Sequence, residues 1–402
     1  MQRLHPVLIK AVLEGIIAIF QDNQYADKVI QRLLKSNPKW GARDRAFIAE
    51  TVYDLVRWWR LIWYLSGNES TLTYPNLWKL IGTYWVWKGN QLPDWKEFKG
   101  VNSKNISNRL EKVKQNRAVL HSIPDWIDDR GLAELGTEKW ESELNALNTE
   151  AEVFVRTNTL KVEKEQLLNE FVKADVAATL IENTDAIHIK KRQNLFQFPF
   201  FKQGFFEMQD IGSQHIAPYL QVEPGMRVID ACAGAGGKSL HLAALMKNKG
   251  RIISMDVEQW KLNELKRRAK RAGSFIIETK LIEGNKTIKR LKGTADRLLL
   301  DVPCSGLGVL KRNPDAKWKL QSDFIDNLIT TQQEIITSYS SMLKPGGYMV
   351  YATCSILPSE NEHQVTRFLE THSNFELLKE NKLWPSEKSN DGFYMALLKK
   401  KP

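Results

Sequence analysis

The stretch PGMRVIDACAGAGGKS, residues 224–239, decides how the second half of the chain folds. An apolar run at Arg227–Ala231 predicts a strand, and three glycines within four positions predict the turn that follows it. A strand that enters a glycine-rich turn and then a helix lets the backbone approach a bound cofactor closely. A tight connection that needs glycine only for its geometry would look similar, but this density of glycines favours a ligand. We therefore predict a cofactor site where this strand ends.

Strands and helices alternate downstream of this stretch. Apolar runs predict five strands, and helical patterns fill most of the gaps between them. The predicted strands are Arg227–Ala231, Arg251–Asp256, Thr279–Ile282, Arg297–Asp301 and Tyr348–Ala352. The last helix before the fifth strand is expected to stop at Pro345-Gly346-Gly347. This alternation predicts an α/β fold with a doubly wound parallel sheet.

The upstream half divides into two further parts. Apolar residues recur at helical spacing through the first ~120 residues, and the tryptophans there fit a helix-packing core better than base-stacking platforms. The polar stretch Lys88–Arg109, with its glycines and proline, is expected to be a loop or an insertion. A small α+β unit is expected next, with strands at Glu152–Asn158 and towards Met208, and a helix at Val162–Ala174.

The composition is that of a soluble globular protein with a basic bias. Its 402 residues suggest two or three domains, and 43% of them are hydrophobic and 26% charged. Lys and Arg total 58 against 47 Asp and Glu, which gives a net charge of +11. Between Arg251 and Leu320 there are 17 basic and 8 acidic residues. Solvated helix faces would account for scattered lysines, whereas this concentrated excess favours a polyanionic partner.

The cysteines and the apolar segments exclude several classes of protein. Three cysteines, Cys232, Cys304 and Cys354, are too few for a disulfide framework and fit a reducing compartment. No Cys-x-x-Cys pair or His cluster offers a zinc site. The apolar start of the chain is interrupted by Lys10 and Glu14, and no cleavage site follows. We therefore expect a cytoplasmic protein without a metal or a membrane segment.

Residues that are missing from the glycine loop indicate which type of cofactor it can bind. A dinucleotide fingerprint would need Gly at position 239, where Ser stands. A phosphate-binding loop would need Gly at position 232, where Cys stands. Asp256, at the end of the second predicted strand, can accept hydrogen bonds from ribose hydroxyls. The combination fits the adenosine half of S-adenosylmethionine, which carries no phosphate, better than a nicotinamide dinucleotide.

Two cysteines follow two of the predicted strands. Cys304 comes after the strand that ends at Asp301, and Cys354 comes after the strand that ends at Ala352. Both thiols should then lie at the same edge of the sheet as the glycine loop. A structural cysteine is usually buried as a small hydrophobic residue, so two at strand ends favour a catalytic role.

A thiol at this edge suits methylation of carbon 5 of cytosine, because that carbon is too weak a nucleophile to take a methyl group directly. A thiolate that adds to carbon 6 makes carbon 5 enamine-like. The site must favour the thiolate, because an ordinary thiol has a pKa of about 8.5. Asp301 is well placed to protonate or hydrogen-bond cytosine N3, and a second thiol could take part in release. The residues alone leave open which cysteine attacks.

Several motifs in this chain match one known family. They are DACAGAGGKS (230–239), DVPCSGLG (301–308), TCS (353–355) followed by ENE (360–362), RNPDAKW (312–318), and MQD (208–210) with Ser213-Gln214. In this order they resemble the RNA cytosine-C5 methyltransferase family of the Sun/Fmu type, and its RsmB-like ribosomal-RNA branch in particular. The resemblance covers nearly the whole chain.

The resemblance implies a role for each motif. By it, Cys354 is the nucleophile and Cys304 assists product release, while the chemistry at cytosine N3 makes Asp301 the third catalytic candidate. The cofactor is S-adenosyl-L-methionine, and no metal is implied. The residues implied to contact the cofactor are Cys232, Ala233, Gly234, Ala235, Gly236, Gly237, Lys238, Asp256, Asn285 and Asp301.

The sequence departs from the family's pattern at two of these places. The cofactor loop reads Gly234-Ala235-Gly236-Gly237, where the family usually has Ala-Pro-Gly-Gly. The backbone path should survive this change. Asn285 stands where the family usually has Asp, so it keeps an acceptor for the adenine amino group but loses the charge.

The resemblance also implies three domains and an RNA partner. We expect an all-α NusB-like RNA-binding domain at 1–122, a small α+β RNA-binding cap at 123–208, and a class I methyltransferase domain with a Rossmann-like sheet at 209–402. The expected substrate is 16S ribosomal RNA, and the expected state is a monomer. Three alternatives stay open: a tRNA enzyme of the same chemistry, a non-catalytic RNA-binding protein with this fold, and a nicotinamide-dependent oxidoreductase.

Basic residues near the site are candidate phosphate contacts. The predicted helix Lys261–Arg271 would place a basic face towards solvent. A second group follows the Cys304 motif and consists of Lys311, Arg312, Lys317 and Lys319. Trp318, within that group, could stack on a base or pack in a core.

Overall fold

The computed structural model of the chain describes residues 4–68, 70–388 and 390–402. Its contacts divide the chain into two compact units. The first consists of Met1–Asn148 with Leu310–Ser322, and the second of Thr149–Val309 with Asp323–Pro402. The chain therefore leaves the second unit after Val309 and returns to it at Asp323.

The helices and strands are numbered here in chain order. The helices are α1 Pro6–Phe20, α2 Ala26–Ser36, α3 Ala42–Arg57, α4 Trp59–Ser66, α5 Tyr74–Trp87, α6 Ser103–Val113, α7 Arg117–Leu120, α8 Asp125–Leu135, α9 Thr137–Leu147, α10 Lys164–Lys173, α11 Pro199–Lys202, α12 Ile211–Gln214, α13 Ile216–Tyr219, α14 Gly237–Leu245, α15 Gln259–Ala272, α16 Asn285–Lys289, α17 Ala316–Lys319, α18 Ser322–Tyr339, α19 Glu362–Thr371 and α20 Pro385–Lys388. The strands are β1 Val153–Thr157, β2 Ala178–Leu180, β3 Ala186–Ile189, β4 Phe206–Met208, β5 Arg227–Asp230, β6 Arg251–Asp256, β7 Ile277–Leu281, β8 Ala295–Asp301, β9 Leu343–Thr353, β10 Phe375–Leu383 and β11 Phe393–Lys400.

The first unit is helical, as the apolar spacing predicts. Trp63, Trp78 and Trp85 are each at most 7% exposed and belong to its apolar core, which confirms the packing role of the tryptophans. The predicted loop over 88–109 is wrong from the start of α6 onward. Asn102 accepts a hydrogen bond from the backbone N–H of Asn105 at 3.1 Å, so polar residues that suggested a loop cap a helix instead.

The second unit begins with a small antiparallel sheet. Its four strands lie in the order β2-β3-β1-β4. Helix α10 covers one face with Leu167 and Phe171, which pack against Phe206 of β4, and all three are fully buried. Strand β1 and helix α10 match the predicted strand and helix of the α+β unit to within one or two residues.

A seven-stranded sheet carries the rest of the second unit, in the order β10-β11-β9-β8-β5-β6-β7. Strands β5 to β9 pair in parallel, which confirms the predicted doubly wound sheet. The chain moves outward from β5 to β7 and then crosses to β8 on the other side of β5. Open α/β sheets bind ligands at such a switch point.

Alternate residues of the central strands are buried on opposite faces of this sheet. One apolar cluster takes Ile229, Leu298 and Leu300, and the other takes Val228 and Leu299. Helices therefore cover both faces, as a parallel sheet requires.

Two details of this sheet differ from prediction. The antiparallel strands β10 and β11 extend it beyond the five predicted strands. In addition, Pro345-Gly346-Gly347 does not end the preceding helix, because α18 stops at Tyr339 and these three residues lie inside β9.

Candidate active site

The glycine loop and both cysteines follow strands that end at one edge of the parallel sheet. β5 ends at Asp230, β8 at Asp301 and β9 at Thr353. These strands are parallel neighbours, with Asp230 beside Leu299 and Asp301 beside Ala352. The residues that come after the three strands therefore gather at the same edge.

The two thiols lie next to each other. The Sγ atoms of Cys304 and Cys354 are 3.3 Å apart, and the backbone N–H of Cys354 points to the Cys304 Sγ, also at 3.3 Å. Both cysteines are free and half-buried. The hydrogen bond to Cys354, and then burial, raises the pKa of the Cys304 thiol well above its ordinary value. Cys304 therefore keeps its proton at neutral pH.

An ion pair stands at the end of β8. Lys238 Nζ donates to Asp301 Oδ2 at 2.5 Å, and the two side chains are 14% and 26% exposed. Burial opposes the charge on Lys238, but the carboxylate of Asp301 more than offsets burial, so the pKa of Lys238 is raised. The lysine charge is thus matched by Asp301 and is not left for a phosphate.

The glycine loop depends on left-handed backbone. Gly234 and Gly236 have φ values of 54° and 86°. A Cβ at position 236 would also come within 2.4 Å of the Leu265 Cγ, so this residue needs glycine for two separate reasons. Ser239, where a dinucleotide fingerprint would have Gly, is buried and donates to Asp230 Oδ2 at 2.6 Å.

Asp256 at the end of β6 fixes the shape of this loop. Its Oδ2 accepts the backbone N–H of Gly234 at 2.9 Å, and its Oδ1 accepts the N–H of Glu258 at 2.9 Å. A carboxylate oxygen can accept more than one hydrogen bond, so Asp256 keeps acceptor capacity for a ligand hydroxyl.

A cavity of about 280 Å³ opens beside the loop. Its lining consists of Met208, Gln209, Ser213, Asp230, Cys232, Ala233, Gly234, Ala235, Gly237, Lys238, Arg268 and Asp301. Seven of the ten predicted cofactor residues are in this lining. Of the other three, Gly236 and Asp256 lie in or against the loop. Asn285 is an exposed residue at the start of α16, and the structure does not bring it to the cavity lining.

Two family models match the chain. Residues 217–399 match the model described as 16S rRNA methyltransferase RsmB/F, and residues 123–195 match the RsmF/B-like methyltransferase, ferredoxin-like domain. The probable ribosomal RNA small subunit methyltransferase B of Synechocystis sp. is 29% identical over 94% of this chain and 96% of its own. The ribosomal RNA small subunit methyltransferase B of Pectobacterium atrosepticum is 33% identical over 73% of this chain and 70% of its own. The chain belongs to the RsmB/F methyltransferase family.

Solved structures show the same fold. The crystal structure of PH0851 has a TM-score of 0.84 and 26% identity, and it covers 99% of this chain and 100% of that one. A methyltransferase homolog protein from Pyrococcus horikoshii has a TM-score of 0.63 over 71% of this chain and 98% of its own. At 24% identity the second likeness concerns the fold alone.

Two residues that line the cavity of this RsmB/F chain, Arg268 and Gln209, were not predicted as site residues. Arg268 was expected on a solvent-facing basic surface, but its Nη1 donates to the carbonyl of Ala235 at 2.8 Å and its Nη2 pairs with Glu207 at 2.9 Å. In the sequence, Arg268 follows Leu265 by three residues, so a helix places both side chains on one face. Leu265 packs under the glycine loop, so Arg268 lies near the loop as well. Gln209, which belongs to the MQD motif, also lines the cavity.

The segment Leu310–Ser322 of this RsmB/F chain is part of the first unit, and the predicted phosphate contact of Lys317 is wrong. Lys317 is buried and donates to the carbonyl of Arg57 at 2.8 Å. Burial, and then the charge of Arg57, lowers the pKa of Lys317 well below its ordinary value. Trp318 Nε1 donates to the carbonyl of Val56 at 2.7 Å, and its ring packs against the first unit's core. Of the two interpretations of Trp318, core packing is therefore the one observed.

Among the described residues, no group of three or more His, Cys, Asp or Glu side chains could hold a metal ion. Within residues 4–68, 70–388 and 390–402, no helix combines the length and the apolar character needed to cross a membrane.

Proposed function

We propose that this protein transfers a methyl group from S-adenosylmethionine to carbon 5 of a cytosine in 16S ribosomal RNA, through a covalent adduct with Cys354. The observation that carries the proposal is the pair of thiols 3.3 Å apart, on the same sheet edge as the glycine loop and its cavity. Chemistry on a weakly nucleophilic carbon needs a thiol to activate the base and a group to end the adduct. The paired cysteines supply both.

The residues around the cavity fit S-adenosylmethionine. The carboxylates of Asp230 and Asp301 line the cavity, and the buried Asp230 Oδ1 has no hydrogen-bond partner. The unpartnered Asp230 oxygen suits a ligand with an ammonium donor, whereas a phosphate would meet two acidic side chains and a Lys238 whose charge Asp301 already matches. When bound there, S-adenosylmethionine supplies an electrophilic methyl group.

The proposed contacts follow from these positions. The loop Cys232–Lys238 and Asp301 would hold the methionine part and the ribose edge, and Asp256 would accept from ribose hydroxyls. Asn285 is retained as the proposed acceptor for the adenine amino group. Its side chain is exposed at the start of α16 and lies outside the lining of the cavity.

In the proposed first step, the Cys354 thiolate adds to carbon 6 of cytosine. The added electron density is drawn towards N3, where a proton or hydrogen bond stabilises it. Asp301 passes to N3 a proton that it takes from the Lys238 ammonium, whose Nζ lies 2.5 Å from Asp301 Oδ2. Carbon 5 then carries the nucleophilic electron pair.

In the proposed release step, which follows methyl transfer to carbon 5, Cys304 first loses its own proton to solvent and then takes the proton from carbon 5. The bond between Cys354 and carbon 6 breaks with its electron pair on the Cys354 sulfur, and N3 returns its proton to the Lys238–Asp301 pair. The hydrogen bond with Cys354 is the main cause that raises the pKa of Cys304. That bond is lost once Cys354 is attached to the base, so Cys304 gives up its own proton more easily in the adduct than in the free enzyme. The two thiols thus act in sequence.

The remaining proposals concern the partner and the domains. We retain a helical RNA-binding domain at 1–122, an RNA-binding cap at 123–208 and a methyltransferase domain at 209–402. The basic residues Lys266, Arg267 and Lys270 of α15 are exposed and are proposed phosphate contacts. We also propose that the protein acts as a monomer in the cytoplasm.

Bisulfite mapping of RNA from cells with and without the gene tests this function. We expect one or a few 16S cytosines to lose their 5-methyl mark when the gene is deleted. Loss of a mark only in tRNA would show that tRNA, and not 16S ribosomal RNA, is the substrate. No change in any RNA would favour a non-catalytic RNA-binding protein. Transfer of labelled methyl from S-adenosylmethionine to small-subunit RNA by the purified protein is the matching test in vitro.

A further inference from the structure

One buried carboxylate, that of Glu360, contacts both cysteine loops. Glu360 is fully buried at the end of the short 3-10 turn Pro358–Glu360. Its Oε1 accepts the backbone N–H of Ser305 at 2.8 Å and the side-chain amide of Gln332 at 3.0 Å. Its Oε2 accepts the hydroxyl of Ser305 at 2.5 Å and the hydroxyl of Ser355. Four donors therefore converge on one carboxylate.

The two serines that bind Glu360 are the residues that directly follow the two thiols. Ser305 comes after Cys304, and Ser355 comes after Cys354. The two loops leave different strands and lie 50 residues apart in the chain. A carboxylate that binds both serines therefore limits how far one cysteine can move from the other.

Neighbouring contacts hold the carboxylate itself in place. The amide of Gln332 also donates to the carbonyl of Pro303 at 2.9 Å, on the other side of Cys304. Tyr351 donates its hydroxyl to the backbone carbonyl of Glu360 at 2.7 Å. The N–H of Gly308 donates to the carbonyl of Cys354 at 3.0 Å, which joins the two cysteine loops a second time. Glu360 is thus a fixed anchor.

We infer that Glu360 is a positioning residue that sets the separation of the attacking and releasing thiols by binding Ser305 and Ser355 together. The inference rests on the proposed function for its catalytic consequence, but the thiol separation can be measured without RNA. Loss of the carboxylate leaves the Ser305 and Ser355 donors without their acceptor, and the loops rearrange to find others. The thiols then lose their fixed distance.

The direct test is the rate at which diamide joins Cys304 to Cys354. In that reaction two thiols give up their protons and electrons to the reagent, which becomes a hydrazine, and a disulfide forms. We expect rapid cross-linking in the unaltered protein and about a tenfold slower reaction in Glu360→Ala. Mass spectrometry of the joined peptides separates this disulfide from any that involves Cys232.

Two variants control the test. In Glu360→Gln the amide oxygen can still accept from Ser305 N–H and Gln332, and the NH₂ group can donate to the serine hydroxyls. It should therefore recover most of the cross-linking rate. Ser340→Ala removes a buried hydroxyl that donates to the carbonyl of Thr337 at 2.9 Å, in the turn before β9 and at the opposite end of that strand from Cys354. It should lose stability without slower cross-linking.

Kinetics on RNA supply the second measurement. Glu360→Ala should lower kcat by about 100-fold, as expected for displaced reacting groups, with KM values for RNA and S-adenosylmethionine unchanged. It should also accumulate covalent RNA adduct, because release fails when Cys304 is out of place. A purely structural role would instead lower the amount of active protein and leave the adduct fraction unchanged.

The outcomes separate the two claims. If the unaltered protein methylates no RNA, the proposed function fails, while the cross-linking rates still test the positioning role. Glu360→Ala with unaltered cross-linking and kcat overturns that role. If Glu360→Ala does not fold, the double variant Ser305→Ala/Ser355→Ala takes its place, and its cross-linking at the original rate overturns the inference equally.

Discussion

The two thiols of the site differ in the effect that removal of each should have. Cys354→Ala should abolish methyl transfer and form no covalent adduct, because the neighbouring Cys304 thiol keeps its proton and does not attack carbon 6. Cys304→Ala should still form the adduct and then retain it, because the base that removes the carbon 5 proton is missing. Denaturing gel electrophoresis of protein with labelled RNA measures both. Full turnover by Cys354→Ala, or no adduct with Cys304→Ala, would contradict this division of roles.

The Lys238–Asp301 ion pair is a second feature that a single substitution can test. Lys238→Met keeps most of the length of the side chain but removes the ammonium that supplies the proton for cytosine N3 through Asp301. We expect kcat to fall by about 100-fold, within the range for a lost general acid. RNA affinity, measured by filter binding, should stay unchanged. An unchanged kcat would exclude the pair from the reaction.

At the scale of elements, the junction of β5 with α14 depends on Gly236. Gly236→Ala would force a left-handed residue to carry a Cβ, at about 1–2 kcal/mol, and would press it against Leu265 for a further 1–3 kcal/mol. Gly225→Ala is the matched control, because its φ is 95° but no atom lies within 4 Å of the added Cβ. Urea unfolding should show the larger loss for Gly236→Ala. Equal losses would mean that the contact with Leu265 relaxes freely.

The segment Leu310–Ser322 makes a prediction about pH through Lys317. Burial and Arg57 lower the native pKa of Lys317, whereas an unfolded lysine has a pKa of about 10.4. Between these two pKa values the unfolded chain binds more protons, so Lys317 makes the free energy of unfolding rise with pH in that window. Lys317→Met removes this contribution. Urea unfolding followed by tryptophan fluorescence from pH 7 to 10 should give a flatter pH dependence for the variant, and identical slopes would contradict it.

The elements that sequence could predict are those whose local signals agree with the fold. β5, β6 and β8 are buried apolar runs that end in Asp, and the turns after β5 and β8 carry glycine and cysteine. β10 gives no such signal, because it is an edge strand that is mostly exposed and has a register shift between Leu377 and Lys379. The sequence did not predict α6, because the helix is mostly polar and its capping residue Asn102 is of a type that is common in loops.

The residues of the site also differ in how well the sequence predicts them. Positions on strand ends follow from topology, so the sequence could bring Asp301, Cys304 and Cys354 together. It could not show that Glu360 binds both cysteine loops, because that contact joins residues 55 apart through side-chain geometry. Nor could it show that Arg268 turns towards Glu207, because spacing along a helix defines a face but not its partner.

At the scale of the whole molecule, a count of charges overstates the basic surface. The excess between Arg251 and Leu320 includes Lys311 and Lys317, which are buried, and Arg268 and Arg271, which pair with the buried Glu207. These four side chains take part in contacts within the fold. What remains for a polyanion is the exposed set that includes Lys266, Arg267 and Lys270 on α15.

This smaller set predicts how RNA affinity depends on salt. Each neutralised phosphate contributes about 0.7 to 0.9 to the slope of log affinity against log salt concentration. Lys266→Gln/Lys270→Gln should therefore reduce the slope by about 1.4 to 1.8. Lys379→Gln is the control, because Lys379 is exposed on β10, at the opposite edge of the sheet from β7. Filter binding of small-subunit RNA at several salt concentrations measures the slopes. If the double variant keeps the original slope, α15 does not contact phosphate, and if Lys379→Gln lowers it as much, the attraction comes from net charge rather than from a defined surface.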